Sequence, residues 1–126
     1  MTPLALAVAL TLLAGLSLLQ VLVACGLPYG RFVWGGGHRV LPTRLRIGSA
    51  VSVVLYGGFA ALLLARTGVL PGRESGFVVV ATWVLFAYFA VGIVMNLASR
   101  SRAERWTMTP ACVILAAATL VVATSG

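Results

Sequence analysis

The chain has 126 residues, of which 61% are hydrophobic and only 9% are charged. The charged residues are nine arginines and two glutamates, and the mean hydropathy is +1.10. A soluble domain usually carries about a quarter charged residues. This composition therefore excludes a water-soluble enzyme, a disordered tail and a disulfide-rich secreted domain. An integral membrane protein with one domain and a handful of spans remains.

Four uncharged apolar runs follow in chain order, at residues 4–25, 47–65, 77–98 and 108–124. Each run is too long for a barrel strand, and at a rise of about 1.5 Å per residue the first is long enough to cross a hydrocarbon core of ~30 Å. Backbone polar groups in lipid must be bonded within the protein, so helices are predicted. The predicted fold is an all-α membrane protein, an antiparallel four-helix transmembrane bundle formed by the whole chain.

The Thr109–Pro110 pair follows an arginine-rich connection and predicts where the fourth helix begins. Threonine is a good N-cap residue, and proline is favoured at the first helical position because its missing N–H has no partner there. These two residues therefore predict that the fourth helix opens with Thr109 as its N-cap and Pro110 as its first residue.

The arginines are divided unequally between the two sides of the predicted bundle. The connection at 26–46 and the connection before residue 108 together hold seven arginines, whereas the connection after residue 65 holds two, Arg66 and Arg73. The positive-inside rule places the first group in the cytoplasm, so both termini are predicted to be extracytoplasmic. Arginines beside apolar runs also predict contact with anionic lipid head groups rather than with nucleic acid.

No charged residue falls within the four predicted spans. Ionisable groups inside the membrane usually mark proton relays and ion-coupled transport, so the sequence argues against that class of protein. The two cysteines, Cys25 and Cys112, form no CxxC pair, and we expect them to behave as small apolar residues rather than as redox groups.

Each span carries one face of small or weakly polar residues. The faces include Gln20 in the first span, Ser49 and Tyr56 in the second, Asn96 in the third and Cys112 in the fourth. One interpretation is packing alone, through interhelical hydrogen bonds such as Gln20 to Asn96 worth about 0.6 kcal/mol each. The other is a pocket that opens toward the cytoplasmic leaflet, because most of these residues lie near that end of their helices.

The first connection, LPYGRFVWGGGHRVL at residues 27–41, is too apolar for a free loop and too polar for a span. That mixture predicts a segment in the membrane interface, with its aromatic rings at head-group level and its arginine side chains toward phosphate. Its three consecutive glycines are either a flexible bend or a backbone nest for an anion. In the second case Gly36, Gly37, His38 and Arg39 would bind the anion. His38 has no second histidine or carboxylate partner, which leaves little for a metal site or acid–base catalysis.

Two stretches, WGGGHRVLPTRLRIGS at 34–49 and NLASRSRAERWTMTP at 96–110, resemble small four-span membrane proteins of GC-rich bacteria. The resemblance implies a location in the bacterial inner membrane. It implies no activity and no cofactor, and it carries over no functional residue. Fluoride channels and small multidrug exporters are similar in size and span count, but the residues that define them are missing from this chain.

The leading functional prediction is a non-catalytic integral membrane protein that binds or permeates a small molecule or a lipid. The site is expected toward the cytoplasmic leaflet, with neither a cofactor nor a metal, and permeation would require a homo-oligomer or a larger complex. The candidate site residues are Gln20, Gly36, Gly37, His38, Arg39, Ser49, Tyr56 and Asn96.

Two alternatives remain open. The chain could be a structural or accessory subunit of a larger membrane complex, bound through its arginine-rich connections and an exposed aromatic face of the third helix at Trp83, Phe86 and Phe89. It could also be a lipid-modifying enzyme that uses His38 near the membrane interface.

Overall fold

Four long helices account for most of the chain in the computed structural model, which describes residues 2–125. They are α1 (Thr2–Ala24), α2 (Thr43–Arg66), α3 (Gly76–Leu97) and α4 (Arg102–Thr124), and the described part of the chain contains no strand. Each helix is long and apolar enough to cross a membrane. The predicted all-α fold with four membrane-length helices is confirmed, and it is compatible with a multi-pass membrane protein.

Consecutive helices run antiparallel, but they do not surround the bundle axis in chain order. Helix α1 packs against both α2 and α4, and α3 packs chiefly against α4, whereas α2 and α3 touch each other only slightly. The order around the bundle is therefore α2, α1, α4, α3. The gap that this order leaves is called here the α2–α3 opening.

Apolar side chains fill the half of the bundle that contains the two chain termini. Small residues such as Ala5 and Ala9 on α1 and Ala118 on α4 allow close approach of these helices, which is how helices associate in lipid. Larger buried side chains complete this core: Leu13, Leu63, Leu85, Phe89, Leu115 and Val122.

Helix α4 begins earlier than predicted. Ser101 is its N-cap, and the Ser101 hydroxyl accepts a hydrogen bond from the backbone N–H of Glu104 at 3.2 Å. The predicted start at Thr109 and Pro110 is wrong, because Pro110 lies inside the helix and the buried Thr109 hydroxyl has no partner in the described residues. The cap at Ser101 starts the helix about two turns earlier, at the cost of the backbone bond that Pro110 cannot donate.

Arginines from other segments bind the last carbonyl groups of two helices. Arg46 Nε donates to the carbonyl oxygen of Ala24 at 2.8 Å, at the end of α1. At the opposite end of the bundle, Arg66 donates to the carbonyl oxygen of Ala123 at 3.4 Å, near the end of α4. A cation at a helix C-terminus also complements the helix dipole. Helix α2 starts at Thr43 rather than at residue 47, and its first turns carry Arg46.

The segment between α1 and α2, residues 25–42, folds back onto the bundle. Val33 and Leu41 are buried against Val23 of α1. These two apolar side chains of the segment therefore pack on the protein itself. Tyr29 remains exposed. We call the end of the bundle formed by this segment and the α3–α4 connection the arginine-rich end.

Candidate functional site

A cavity of about 330 Å³ lies within the bundle, toward the arginine-rich end. All four helices contribute to its wall, and so does the loop at residues 30–36, which we call the Trp34 loop. The polar side chains that line the cavity are Gln20, Ser52, Tyr56, Tyr88, Asn96, Glu104 and Cys112. The rest of the lining is mainly apolar: Leu16, Phe32, Val33, Trp34, Phe89, Val91, Gly92, Met95, Met108, Ala111 and Leu115.

Trp34 closes the cavity at the arginine-rich end and is held there by α2. Its indole Nε1 donates to Ser49 Oγ at 2.9 Å. The ring lies over Gly48, where an added Cβ would come within 2.8 Å of the ring. The backbone φ of Trp34 is +53°, a left-handed conformation that costs a residue with a side chain about 1–2 kcal/mol. The contacts with Ser49 and Gly48 therefore hold Trp34 in a backbone conformation that is locally unfavourable.

The N-terminus of α4 holds the other side of the Trp34 loop. The backbone N–H of Gly35 donates to Glu104 Oε2 at 3.1 Å, and the Ser101 hydroxyl donates to the carbonyl oxygen of Arg31. The same Ser101 hydroxyl is the N-cap of α4. A carboxylate in the first helical turn is also favoured by the helix dipole, by about 0.3–1 kcal/mol. The residues that begin α4 thus also position the loop.

The polar groups of the cavity wall are only partly paired with one another. Asn96 Nδ2 donates to Cys112 Sγ at 3.2 Å. Gln20 is only 9% exposed, and its Oε1 atom has no hydrogen-bond partner among residues 2–125. Tyr56 faces Gln20 from α2. Gln20 Oε1 is thus a buried acceptor in the cavity wall that makes no hydrogen bond within residues 2–125, and the Tyr56 hydroxyl lies beside the same amide group.

Among the described residues, Glu104 is the one charged side chain that lines the cavity. The arginines of the same end are used elsewhere: Arg46 binds the end of α1, and Arg105 Nη1 donates to the carbonyl oxygen of Ser99 at 3.3 Å. The remaining arginines of this end are exposed: Arg31, Arg39, Arg44, Arg100 and Arg102. Positive charge thus surrounds the outside of this end, while the cavity itself contains a carboxyl group.

The cavity opens sideways rather than along the bundle axis. Tyr88, Val91 and Met95 of α3 line it and are themselves exposed. On the other side of the mouth, Ser52 and Tyr56 of α2 line it and are half-buried. The mouth therefore coincides with the α2–α3 opening, which faces lipid if the four helices span a membrane.

The structure brings some of the predicted site residues together. Gln20, Tyr56 and Asn96 line the same cavity. Ser49 does not line it, because its side chain is fully buried and accepts the hydrogen bond from Trp34. The hydrogen bond expected between Gln20 and Asn96 is not formed, since the Asn96 amide donates to Cys112 instead.

The other predicted site residues lie outside the cavity. Gly37, His38 and Arg39 are exposed. Gly36 is half-buried, has a φ of +72° and packs against Ser101, so this glycine serves a close contact rather than a flexible bend.

The pocket predicted from the sequence included Cys112, but sequence reasoning did not identify Glu104 or Tyr88 as residues of the site. Tyr88 and Cys112 share helix faces with residues that were considered polar, but nothing in the sequence separates a packed face from a cavity wall. For Glu104 a signal was present, because Ser101 and Glu104 have the S-x-x-E spacing of a capping box. The contact of Glu104 with Gly35 joins residues 69 positions apart, and no local pattern predicts it.

No protein-family model, curated protein or solved structure matches this chain. The part of the chain that the structure describes contains no group of three or more His, Cys, Asp and Glu side chains able to hold a metal ion. A fold alone does not imply a function, so the function has to be argued from the chemistry of the cavity.

Gly36→Ala is expected to separate the Trp34 loop from α4, whereas Gly37→Ala is a matched control. A Cβ on Gly36 would lie 2.2 Å from the Ser101 Cβ, at a left-handed φ. At Gly37 a Cβ would meet nothing within 4 Å, and φ is −72°. We expect Gly36→Ala to lower the free energy of unfolding by about 2–3 kcal/mol and Gly37→Ala by less than about 0.5 kcal/mol.

The comparison is made by detergent-induced unfolding, followed by circular dichroism and Trp fluorescence. Equal stability of the two variants would contradict the tight contact between the Trp34 loop and α4.

Proposed function

We propose that this protein is a non-catalytic integral membrane protein that binds a small molecule or a lipid in the cavity beside the Trp34 loop. The bound group is a hydrogen-bond donor without negative charge, such as a hydroxyl or an amine. The observation that carries the proposal is the buried Gln20 Oε1 atom, which lines the cavity and has no hydrogen-bond partner in residues 2–125.

An unpaired buried acceptor favours the binding of a group that donates a hydrogen bond to it. Leaving a buried polar group without its hydrogen bond costs about 1–3 kcal/mol. In lipid there is no surrounding water to offset that cost. The cavity of about 330 Å³ beside Gln20 has room for a ligand group that donates to it. A molecule bound there would therefore stabilise the folded protein as well as being recognised by it.

The composition of the cavity wall supports a neutral or cationic group over a phosphate. Gln20 Oε1 and the Glu104 carboxyl both accept hydrogen bonds, and no arginine lines the cavity within the described residues. An anion beside Glu104 would lose its hydration without gaining a counter-charge. The aromatic rings of Tyr56 and Tyr88 would instead favour a cation near their faces. The sequence predicts a small molecule or a lipid as the ligand. The proposal adds that the group bound in the cavity is neutral or cationic.

Binding has more support than permeation through a single copy. Leu115 in the cavity wall and Leu13 and Val122 beyond it are almost completely buried and fill the bundle axis. Protein interiors are close-packed, so a solute could pass along this axis only by displacing them. Permeation would therefore require several copies to assemble around a common path.

We further propose that the arginine-rich end faces the cytoplasm of a bacterial cell, in the inner membrane, with both termini on the other side. The unequal division of arginines supports this orientation. Its exposed arginines would contact anionic lipid head groups outside the cavity, at about 1 kcal/mol each near a charged surface. This contact would anchor the protein, and it is separate from ligand recognition in the cavity.

The two alternatives have less support from the geometry. A lipid-modifying enzyme that uses His38 would need this side chain at a site, but His38 is exposed and lies outside the cavity. An accessory subunit would bind through the arginine-rich connections, where five arginines are exposed, and through an exposed aromatic face on α3. Phe89 is buried and Phe86 is half-buried, so the expected face is reduced to Trp83, which is 42% exposed.

Gln20→Leu is expected to weaken ligand retention, with Thr11→Val as the matched control on the same helix. Thr11 is exposed, and its hydroxyl donates to the Ala7 carbonyl at 2.8 Å, away from the cavity. Wild type and both variants would be purified from host membranes in a mild detergent, and co-purifying molecules quantified by mass spectrometry. We expect one class of hydroxyl- or amine-bearing molecule to fall about tenfold in Gln20→Leu alone.

Equal recovery of that class from all three proteins would contradict the proposed function, and so would the recovery of no such molecule with wild type.

The orientation predicts one-sided labelling of the Trp34 loop region. In a Cys25→Ser, Cys112→Ser background, His38→Cys should react with a membrane-impermeant maleimide in inside-out vesicles and not in intact cells. Val69→Cys, in the exposed connection between α2 and α3, should show the opposite behaviour. Labelling of position 38 in intact cells would reverse the proposed topology.

A further inference from the structure

A second, almost entirely apolar cavity of about 570 Å³ lies along the α2–α3 opening, in the half of the bundle away from the arginine-rich end. We call it the apolar groove. Its walls are formed by Phe59 and Leu62 of α2 and by seven residues of α3: Gly76, Phe77, Val80, Ala81, Val84, Leu85 and Tyr88. The groove exists because α2 packs chiefly on α1 and α3 chiefly on α4, while α2 and α3 touch each other only slightly.

The apolar groove adjoins the polar cavity at Tyr88. Tyr88 lines both of them. Phe59 lines the groove and pairs with Tyr88 across the opening, with ring centroids 5.4 Å apart. A molecule in the α2–α3 opening would therefore pass from buried acceptors, past two aromatic rings, to hydrocarbon-like walls.

The length of the apolar groove matches a hydrocarbon chain. From Phe77 to Tyr88, α3 rises by about 16 Å, whereas the hydrocarbon core of a bilayer is ~30 Å thick. The groove is thus about as long as the chain region of one leaflet. The polar cavity at one end of the groove supplies what a head group needs, namely acceptors and a carboxyl.

We infer that the ligand of this protein is an amphiphile with a single hydrocarbon chain. Its hydroxyl or amine head binds in the cavity at Gln20, and its chain lies along the apolar groove. This inference rests on the proposed function and names the class of molecule that the cavity takes. A helix of a second copy would fill the groove equally well, but it would leave Gln20 Oε1 without a donor, and this difference favours the amphiphile.

The head and the groove have different roles in recognition. Lipid tails are as apolar as the groove, so moving a chain from the bilayer into it provides little hydrophobic free energy. The preference for this ligand over bulk lipid must therefore come from the head group. The groove determines the position of the hydrocarbon chain, and this position can be mapped by photolabelling.

The test uses hexadecylamine and hexadecanol, each with a photoreactive diazirine at the chain end, and the protein in phosphatidylcholine nanodiscs. A hexadecyl methyl ether with the same diazirine has no donor and is the matched probe. After irradiation, mass spectrometry maps the labelled residues. We expect the amine, the alcohol or both to label residues 76–84 about fivefold more than the ether does, relative to exposed Val113 and Ile114 on α4. The probe that shows this preference, the amine or the alcohol, identifies the head group of the ligand.

Variants locate the chain within the opening. Ala81→Trp fills the apolar groove and should remove the preference, whereas Ala87→Trp, on an exposed part of α3 outside the groove, should retain it. Val84→Trp, at an exposed position of the groove wall, gives a second obstruction if Ala81→Trp fails to fold. Labelling by the ether equal to that by both donors would overturn the inference, and so would an undiminished preference in folded groove variants.

A short probe separates failure of this inference from failure of the proposed function. Butylamine with a diazirine should label Met108 or Cys112 in the polar cavity, and Gln20→Leu should reduce that labelling. If this result holds while the long probes show no groove preference, the groove assignment alone is wrong. If Gln20→Leu leaves both short and long probes unaffected, the proposed function is wrong as well.

Discussion

The contact between the N-terminus of α4 and the Trp34 loop is the constraint on which the arginine-rich end depends. The Ser101 hydroxyl caps α4 and holds the Arg31 carbonyl, while the Glu104 carboxyl binds the Gly35 amide. With the loop held from this side, Trp34 reaches across to Ser49 of α2 and closes the cavity. The positive φ of Trp34 is unfavourable for a residue with a side chain, so tertiary contacts must hold the loop in this conformation. The Ser101 hydroxyl, which also caps α4, and the Glu104 carboxyl provide these contacts.

The four-helix fold could be predicted because it depends on composition and run length. Lipid requires every backbone polar group to be bonded internally, and the apolar runs have the length of a span. The boundaries were harder, since Pro110 gave a local signal for a helix start that the Ser101 cap overrode. Of the site, Gln20 and Asn96 could be predicted from helix spacing. Glu104 could not, because its role depends on a contact with the distant Gly35.

The distribution of charge separates two kinds of interaction that the sequence alone could not distinguish. The net charge of +7 suggested an anionic partner, and the exposed arginines retain that role at the membrane surface. The cavity inside the bundle has the opposite character: it presents the acceptors Gln20 Oε1 and the Glu104 carboxyl, and no arginine among the described residues lines it. Together with the apolar groove, this reversal favours a donor-headed amphiphile over a phospholipid phosphate.

The most direct test of the ligand site is an experimental density map of the protein in lipid nanodiscs, at a resolution that defines side chains. The account predicts elongated non-protein density that contacts Gln20 Oε1 and extends past Tyr88 into the α2–α3 opening. A closed cavity with Gln20 bonded to Asn96, or an isolated water molecule as the sole partner of Gln20, would contradict it.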